Sequence, residues 1–271
     1  MRLFDGKRLY LNKVINYFSN MKKFLLAILV LLSSTQSVFS EAEKENLMNK
    51  KILFVLTSHS KLGNTGKVTG FYLSEAAHPH KVLTDAGFEI DFVSPQGGKA
   101  PIDGFDLKDP INKAFIENKK YSEQIENTKK PSEINPKDYA AIFYVGGHGT
   151  MWDFPDNKEL AEIASKIYEN NGVVGAVCHG PVELVNIKLS NGDYLVKGKN
   201  VTSFTNEEEA AVGMTDEMPF LLETKLKELG ANFSKTENFQ ANVAVSERLV
   251  TGQNPASATH VGEEIAKLLK N

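Results

Sequence analysis

The 271-residue chain is 41% hydrophobic and 24% charged, which is enough apolar sequence for one large buried core. Its formal net charge is -3, from 31 basic and 34 acidic residues, and no basic stripe marks it for nucleic acid. One cysteine excludes an internal disulfide and leaves a thiol that is either buried and inert or kept for its reactivity.

The N-terminal part reads as a targeting segment. Met21-Lys22-Lys23 is a basic start, residues 24–32 are an unbroken apolar run, and Val38-Phe39-Ser40 suits cleavage before Glu41. The run falls short of the roughly 20 residues of a spanning helix. Residues 1–40 are therefore expected to be an N-terminal extension and signal peptide, with the signal at about 21–40 and a periplasmic destination. An uncleaved anchor is the alternative. Residues 41–49 read as a linker and 50–271 as one domain. The first 40 residues carry six basic residues and one acid, so their loss takes the net charge from -3 to -8. That charge argues further against nucleic acid, and against a membrane partner once the signal is gone.

Residues 51–57 read as a fully buried strand, followed by a Gly-rich loop at 62–66. Helical periodicity runs from near Phe71 to Gly87. A second strand covers 88–94, with a turn at 95–98. Residues 101–137 are long, charged and irregular, with helical patches at 111–118 and 121–127. They suit an insertion over one sheet edge, which as a lid would narrow a pocket to small substrates. A third strand, 139–145, runs into Gly146-Gly147-His148-Gly149. An amphipathic helix follows at 157–170. The fourth strand, 172–177, meets Cys178-His179-Gly180-Pro181, where Pro181 suits the first turn of a helix. Short strands at 194–196 and 201–204, a helix at 219–229, strands at 242–245 and 249–251 about a turn, and a closing helix at 255–269 complete the chain. Apolar strands alternating with helices predict an α/β fold, a flavodoxin-like sandwich whose mainly parallel sheet carries helices on both faces. Its site belongs at the carboxyl ends of the strands.

Cys178 stands where a buried strand stops and a helix begins, the arrangement of a nucleophile elbow. A helix N-terminus there is expected to lower the thiol pKa. A small buried core cysteine is the plain alternative. His179 is a candidate base and acid. The His78-x-His80 pair has no cysteine cluster or second histidine motif beside it, so no metal is expected. The loop at 63–70 lacks the order of a phosphate-binding P-loop.

The segment Ala176-Val-Cys-His-Gly-Pro181 resembles the nucleophile turn of the ThiJ/PfpI superfamily. Three further segments resemble its glyoxalase III and stress-chaperone branch: Thr69-Gly-Phe-Tyr-Leu-Ser-Glu-Ala-Ala-His-Pro79, Gly146-Gly-His-Gly-Thr-Met-Trp-Asp153 and Leu249-Val-Thr-Gly-Gln-Asn-Pro-Ala-Ser257. The resemblance implies that Glu75 is the acid beside the thiol, partly protonated by burial. Within Phe204-Thr-Asn-Glu-Glu-Glu-Ala-Ala-Val-Gly213 it points to Glu209 as the carboxylate orienting His179, because Glu209 keeps the family's spacing to Gly213; an exposed acidic run is the alternative. The N–H groups of Gly147 and His179 are implied as an oxyanion hole.

The implied activity is a glyoxalase III-like, D-lactate dehydratase-type conversion of methylglyoxal or related 2-oxoaldehydes to 2-hydroxy acids. It would need no organic cofactor and no metal, with a small aldehyde as substrate and a homodimer as the assembly. The same thiol could instead serve a cysteine peptidase, amide hydrolase or deglycase-like enzyme. A holding chaperone or oxidant sensor, with Cys178 oxidised rather than turning over, is the non-enzymatic alternative.

Overall fold

The computed structural model describes residues 51–270. The expected signal peptide, the extension before it and the linker 41–49 lie outside those residues. Among the described residues no helix is long and apolar enough to cross a membrane.

Six strands form the central sheet: β1 (Lys51–Val55), β2 (Ile90–Val93), β3 (Tyr139–Tyr144), β4 (Val173–Val177), β5 (Val243–Ser246) and β6 (Leu249–Gly252). Their order is β5-β6-β4-β3-β1-β2, and every pairing is parallel except the β5–β6 hairpin at one edge. The parallel part has the flavodoxin-like order. β3 and β4 are buried throughout, as strands covered on both faces must be.

Alternation along the strands builds two cores. Ile52, Phe54 and Phe143 face one layer, where they meet α1 (Leu73–Asp85) and the closing helix Ala258–Lys270. Leu53, Val55, Ile142 and Tyr144 face the other, against the helix Lys158–Glu169 and Leu222 and Leu226 of the helix Leu222–Glu228. Pro79 of α1 lies against Gly262 of the closing helix, so the His-Pro step of α1 is a packing feature.

The helices of the region 101–137 pack into the body of the fold. These helices, α2 (Pro110–Glu117) and α3 (Lys119–Glu126), put Phe115 and Ile125 into the same core layer as α1 and the edge strand β2. Both are capped as their sequences allow: Asp109 accepts from the amides of Ile111 and Asn112, and Asn118 from those of Lys120 and Tyr121. Only the start of the region reaches towards the strand ends, where Ile102–Asp103 pairs with Phe71–Tyr72. That pairing also delays the start of α1 to Leu73. The segment 194–196 forms no strand. Tyr194 makes an isolated bridge to Lys188, and the strand expected at 201–204 is confined to Asn200–Val201.

Candidate active site

Cys178 leaves the end of β4 with φ 59°, in the left-handed region that a side-chain-bearing residue rarely adopts. The turn is pinned from two sides. Cys178 N–H donates to the carbonyl of Gly252 at the end of β6, and Phe204 N–H donates to the carbonyl of Cys178. Thr150 Oγ1 donates to the carbonyls of Gly147 and His179, tying the GGHG turn to the elbow. The chain continues past the thiol as a six-residue 3-10 helix, Gly180–Val185, rather than an α-helix.

This overturns one expectation. A short 3-10 turn offers little macrodipole, and the thiol is almost fully enclosed. Burial, then the carboxylate of Glu75, push the Cys178 pKa well above the ordinary thiol range, with the Gly147 amide pulling it back only in part.

On one side of the thiol the imidazole of His179 places Nδ1 3.3 Å from Cys178 Sγ. Its Nε2–H donates to Glu209 Oε2 at 2.7 Å. Burial would raise the Glu209 pKa, but hydrogen bonds from His148 and His179 outweigh it and hold the group at about 2. An ionised acceptor at Nε2 fixes the tautomer of His179 and leaves the Nδ1 lone pair facing sulfur. Burial, and the neighbouring His148, keep His179 below the ordinary histidine range against the pull of Glu209. The ring is therefore a neutral base.

On the other side Glu75, the third residue of α1, is fully buried. Neither carboxylate oxygen makes a hydrogen bond to another described residue. The acid nevertheless lies beside the thiol and over Gly146, where a Cβ would collide with Glu75 Oε2 and the carbonyl of Val177. Burial drives its pKa well up, and the thiol and the Gly146 backbone offset only part of that. Two buried acids in contact titrate as a pair, so sulfur ionises only while Glu75 stays neutral. Gly147, at φ 105°, turns its amide towards the sulfur. A Cβ there would collide with the carbonyl of Gly70, so the approach is open only to glycine.

The three consecutive acids of the helix Asn206–Ala211 part ways. Glu207 is exposed and paired with Lys235 at 2.6 Å. Glu209 orients His179. Glu208 is fully buried and accepts from Thr205 N, Phe239 N, Gln253 Nε2 and Asn254 Nδ2 at 2.8–3.1 Å. It joins the helix N-terminus to the Gln253-Asn254 segment and to the loop of Phe239. The structure thus brings Cys178, His179, Glu75, Glu209 and Gly147 together. It also adds two residues that sequence reasoning passes over. In sequence Glu208 looks like part of an exposed run. His148 donates from Nε2 to Glu209 Oε1 at 2.9 Å, with its ring 4.2 Å from that of His179. In sequence the GGHG motif points only to its backbone.

The other histidine pair lies elsewhere. His78 bonds Asp109 and Thr259. His80 sits among Phe54, Phe92, Phe115 and Tyr121, where burial lowers its pKa to about 4.

A flavodoxin-like sheet with a strained cysteine lifted off the end of an inner strand defines a class of thiol-centred α/β proteins. The chain belongs to the DJ-1/PfpI family, whose model matches residues 68–268. It is 35% identical over 227 residues to glyoxalase 3 of Candida albicans, covering 79% of this chain and 96% of that protein. To the glutathione-independent glyoxalase HSP31 of Saccharomyces cerevisiae it is 35% identical over 238 residues, covering 82% and 99%. Among solved structures, Rapid Encystment Protein 24 KDa of Francisella tularensis is 41% identical with a TM-score of 0.79, covering 82% of this chain and all of that one. The crystal structure of C. albicans glyoxalase III is 32% identical with a TM-score of 0.76, covering 82% and 98%.

Proposed function

We propose that this protein is a glutathione-independent glyoxalase that converts methylglyoxal or a related 2-oxoaldehyde into the 2-hydroxy acid. The observation that carries the reading is Glu75: a fully buried carboxyl group beside the thiol, with no salt bridge to another described residue. Thiol hydrolysis needs only the thiol, imidazole and oxyanion hole. Moving a hydrogen between two carbons needs a further group that takes a proton and returns it.

The steps give a role to each residue around the thiol. Nδ1 of His179 takes the proton of the Cys178 thiol, the sulfur adds to the aldehyde carbon, and Glu75 gives its proton to the new oxygen, forming a hemithioacetal. The N–H groups of Gly147 and His179 hold that oxygen as charge develops. Glu75, now ionised, removes the hydrogen from C1 while the C2 oxygen takes a proton from the His179 side. The resulting enediol collapses when Glu75 returns its proton to C2 and the C1 oxygen releases one to His179. The product is a thioester of the 2-hydroxy acid. Once the imidazolium has passed its proton back to Glu75, His179 deprotonates the water that cleaves the thioester and gives that proton to the leaving sulfur, freeing the acid and restoring the thiol. Glu209 orients the imidazole and stabilises it when it is cationic.

The periplasmic address belongs to this proposal and rests on the pattern at 21–40; an N-terminus of Glu41 on the mature chain is the result it requires. A homodimer is proposed on the family resemblance. The direct test is D-lactate release from methylglyoxal without glutathione, by the chain from Glu41 and by its Cys178→Ala variant. Release by the first alone is expected. Equal release by both would remove the thiol from the mechanism. No release by either, with the fold intact and the thiol reduced, would favour amide hydrolysis or a non-catalytic stress role.

A further inference from the structure

We propose that His148, His179 and Glu209 form a binding site for one borderline-soft divalent cation of the Zn2+, Co2+ and Ni2+ group, and that the bound cation switches the thiol chemistry off. The three side chains come from separate elements: the GGHG turn, the elbow and the helix Asn206–Ala211. Their ligand atoms converge, each lying within 4.8 Å of the others. Both Nε2 atoms already aim at the same carboxylate, one at each oxygen. With metal–ligand bonds of about 2.0–2.2 Å, a tetrahedral ion brings its donors to roughly 3.3–3.6 Å from one another. Binding therefore requires a contraction from the present spacing, which is within 4.8 Å. It falls on His148, whose side chain is 21% exposed, whereas His179 is fixed at 1%. The partial exposure of His148 leaves the cluster open to solvent on that side.

The donor set decides the class of ion. Two imidazoles and one carboxylate suit zinc and its neighbours, whereas magnesium and calcium prefer oxygen alone. His179 Nδ1 supplies the outer contact, since a metal-bound imidazole directs its other N–H at an acceptor, and here that acceptor is Cys178 Sγ at 3.3 Å.

Proton positions give the consequence for the chemistry. When the cation takes Nε2 of His179, the proton of that nitrogen moves to Nδ1. The lone pair that faced the thiol becomes an N–H. His179 then has no free nitrogen for the thiol proton or for the hydrolytic water. The same arrangement that orients the base makes it open to metal capture.

The test is a Co2+ titration of the purified wild-type protein read by visible and near-ultraviolet absorption. Saturation at one equivalent, with d–d bands of a four- or five-coordinate ion and no thiolate-to-cobalt charge transfer, is expected. A charge-transfer band would place the ion on Cys178 and overturn the site, as would absence of saturable binding. Cys178→Ala should keep the binding, and His148→Ala should weaken it at least about tenfold. Retention by His148→Ala would overturn the assignment. These spectra read the site whether or not methylglyoxal is the substrate. In the turnover assay Zn2+ should abolish activity and a chelator should restore it; saturated binding with full turnover would overturn the switch.

Discussion

The two flanks of Cys178 carry one carboxylate each, and these behave in opposite ways. Glu209 is buried but receives two imidazole donors, and it stays ionised with a pKa of about 2. Glu75 is buried with only the thiol and the Gly146 backbone to offset burial, and its pKa climbs well above the carboxylate range. Burial is common to both, so it does not decide the charge. The donors decide it. One flank therefore supplies a fixed negative charge that orients a base, and the other a group whose proton moves.

Exchanging the mobile group for a fixed one is the sharpest way to break this comparison. Glu75→Gln keeps size and shape but can neither take nor return a proton. Turnover of methylglyoxal should fall by about 10²- to 10⁴-fold, the usual span of a lost general acid–base group. Stability should not fall. The folded-state pKa of Glu75 is raised, so its contribution is fully present below the unfolded value of about 4.3 and is lost as pH rises through the folded one. The variant should thus denature at higher urea than wild type near pH 8. A kcat within a few-fold of wild type would hand the carbon proton to His179.

This difference explains what sequence can and cannot reveal. The apolar runs of β1, β3 and β4 name themselves, because a strand covered on both faces has no polar side to disguise it. Cys178 is legible because a strand end, a histidine, a glycine and a proline come one after another. Glu209 is found through family spacing to Gly213, since three adjacent glutamates look alike in composition. Their fates depend on contacts made far along the chain: Glu208 meets Phe239, Gln253 and Asn254, none of them near in sequence. His148 is hidden for the same reason, its partner lying 61 residues away. The lowered thiol pKa expected from the local turn is wrong in sign, because enclosure and Glu75 set it.

Glu207 and Glu208 extend the comparison to adjacent residues. Glu208→Ala would strip the acceptor from four donors, among them the buried amides of Thr205, Gln253 and Asn254. A loss of about 3–5 kcal/mol is expected, the range for removing one partner from a buried charged network. Urea denaturation at constant m-value measures it. Glu207→Ala removes an exposed ion pair with Lys235 and should leave the midpoint unchanged. Comparable losses from both would mean that the helix Asn206–Ala211 depends on its acidic run as a whole.

A stabilising change is expected at Glu183, on the 3-10 helix after the elbow. It is fully buried, and neither oxygen has a hydrogen-bond partner among the described residues. Burial, then the nearby Asp153, drive its pKa well up. Asp153 is itself raised by burial to about 7, although Thr57 Oγ1 and the Ser58 amide donate to it. Glu183 thus resembles Glu75 in its environment but lies beneath the turn rather than beside the thiol. Glu183→Met, of similar length and without charge, should stabilise the fold by about 1–3 kcal/mol near pH 8, the cost of an unsatisfied buried polar group. The stability associated with a raised carboxyl pKa is complete below about 4.3 and lost as pH rises through the folded value. The gain should therefore be smallest near pH 4 and grow towards pH 8, in urea midpoints taken across that range. A gain that shrinks with pH would mean that Glu183 is held as an anion by donors that pair with it, placing it with Glu209 rather than with Glu75.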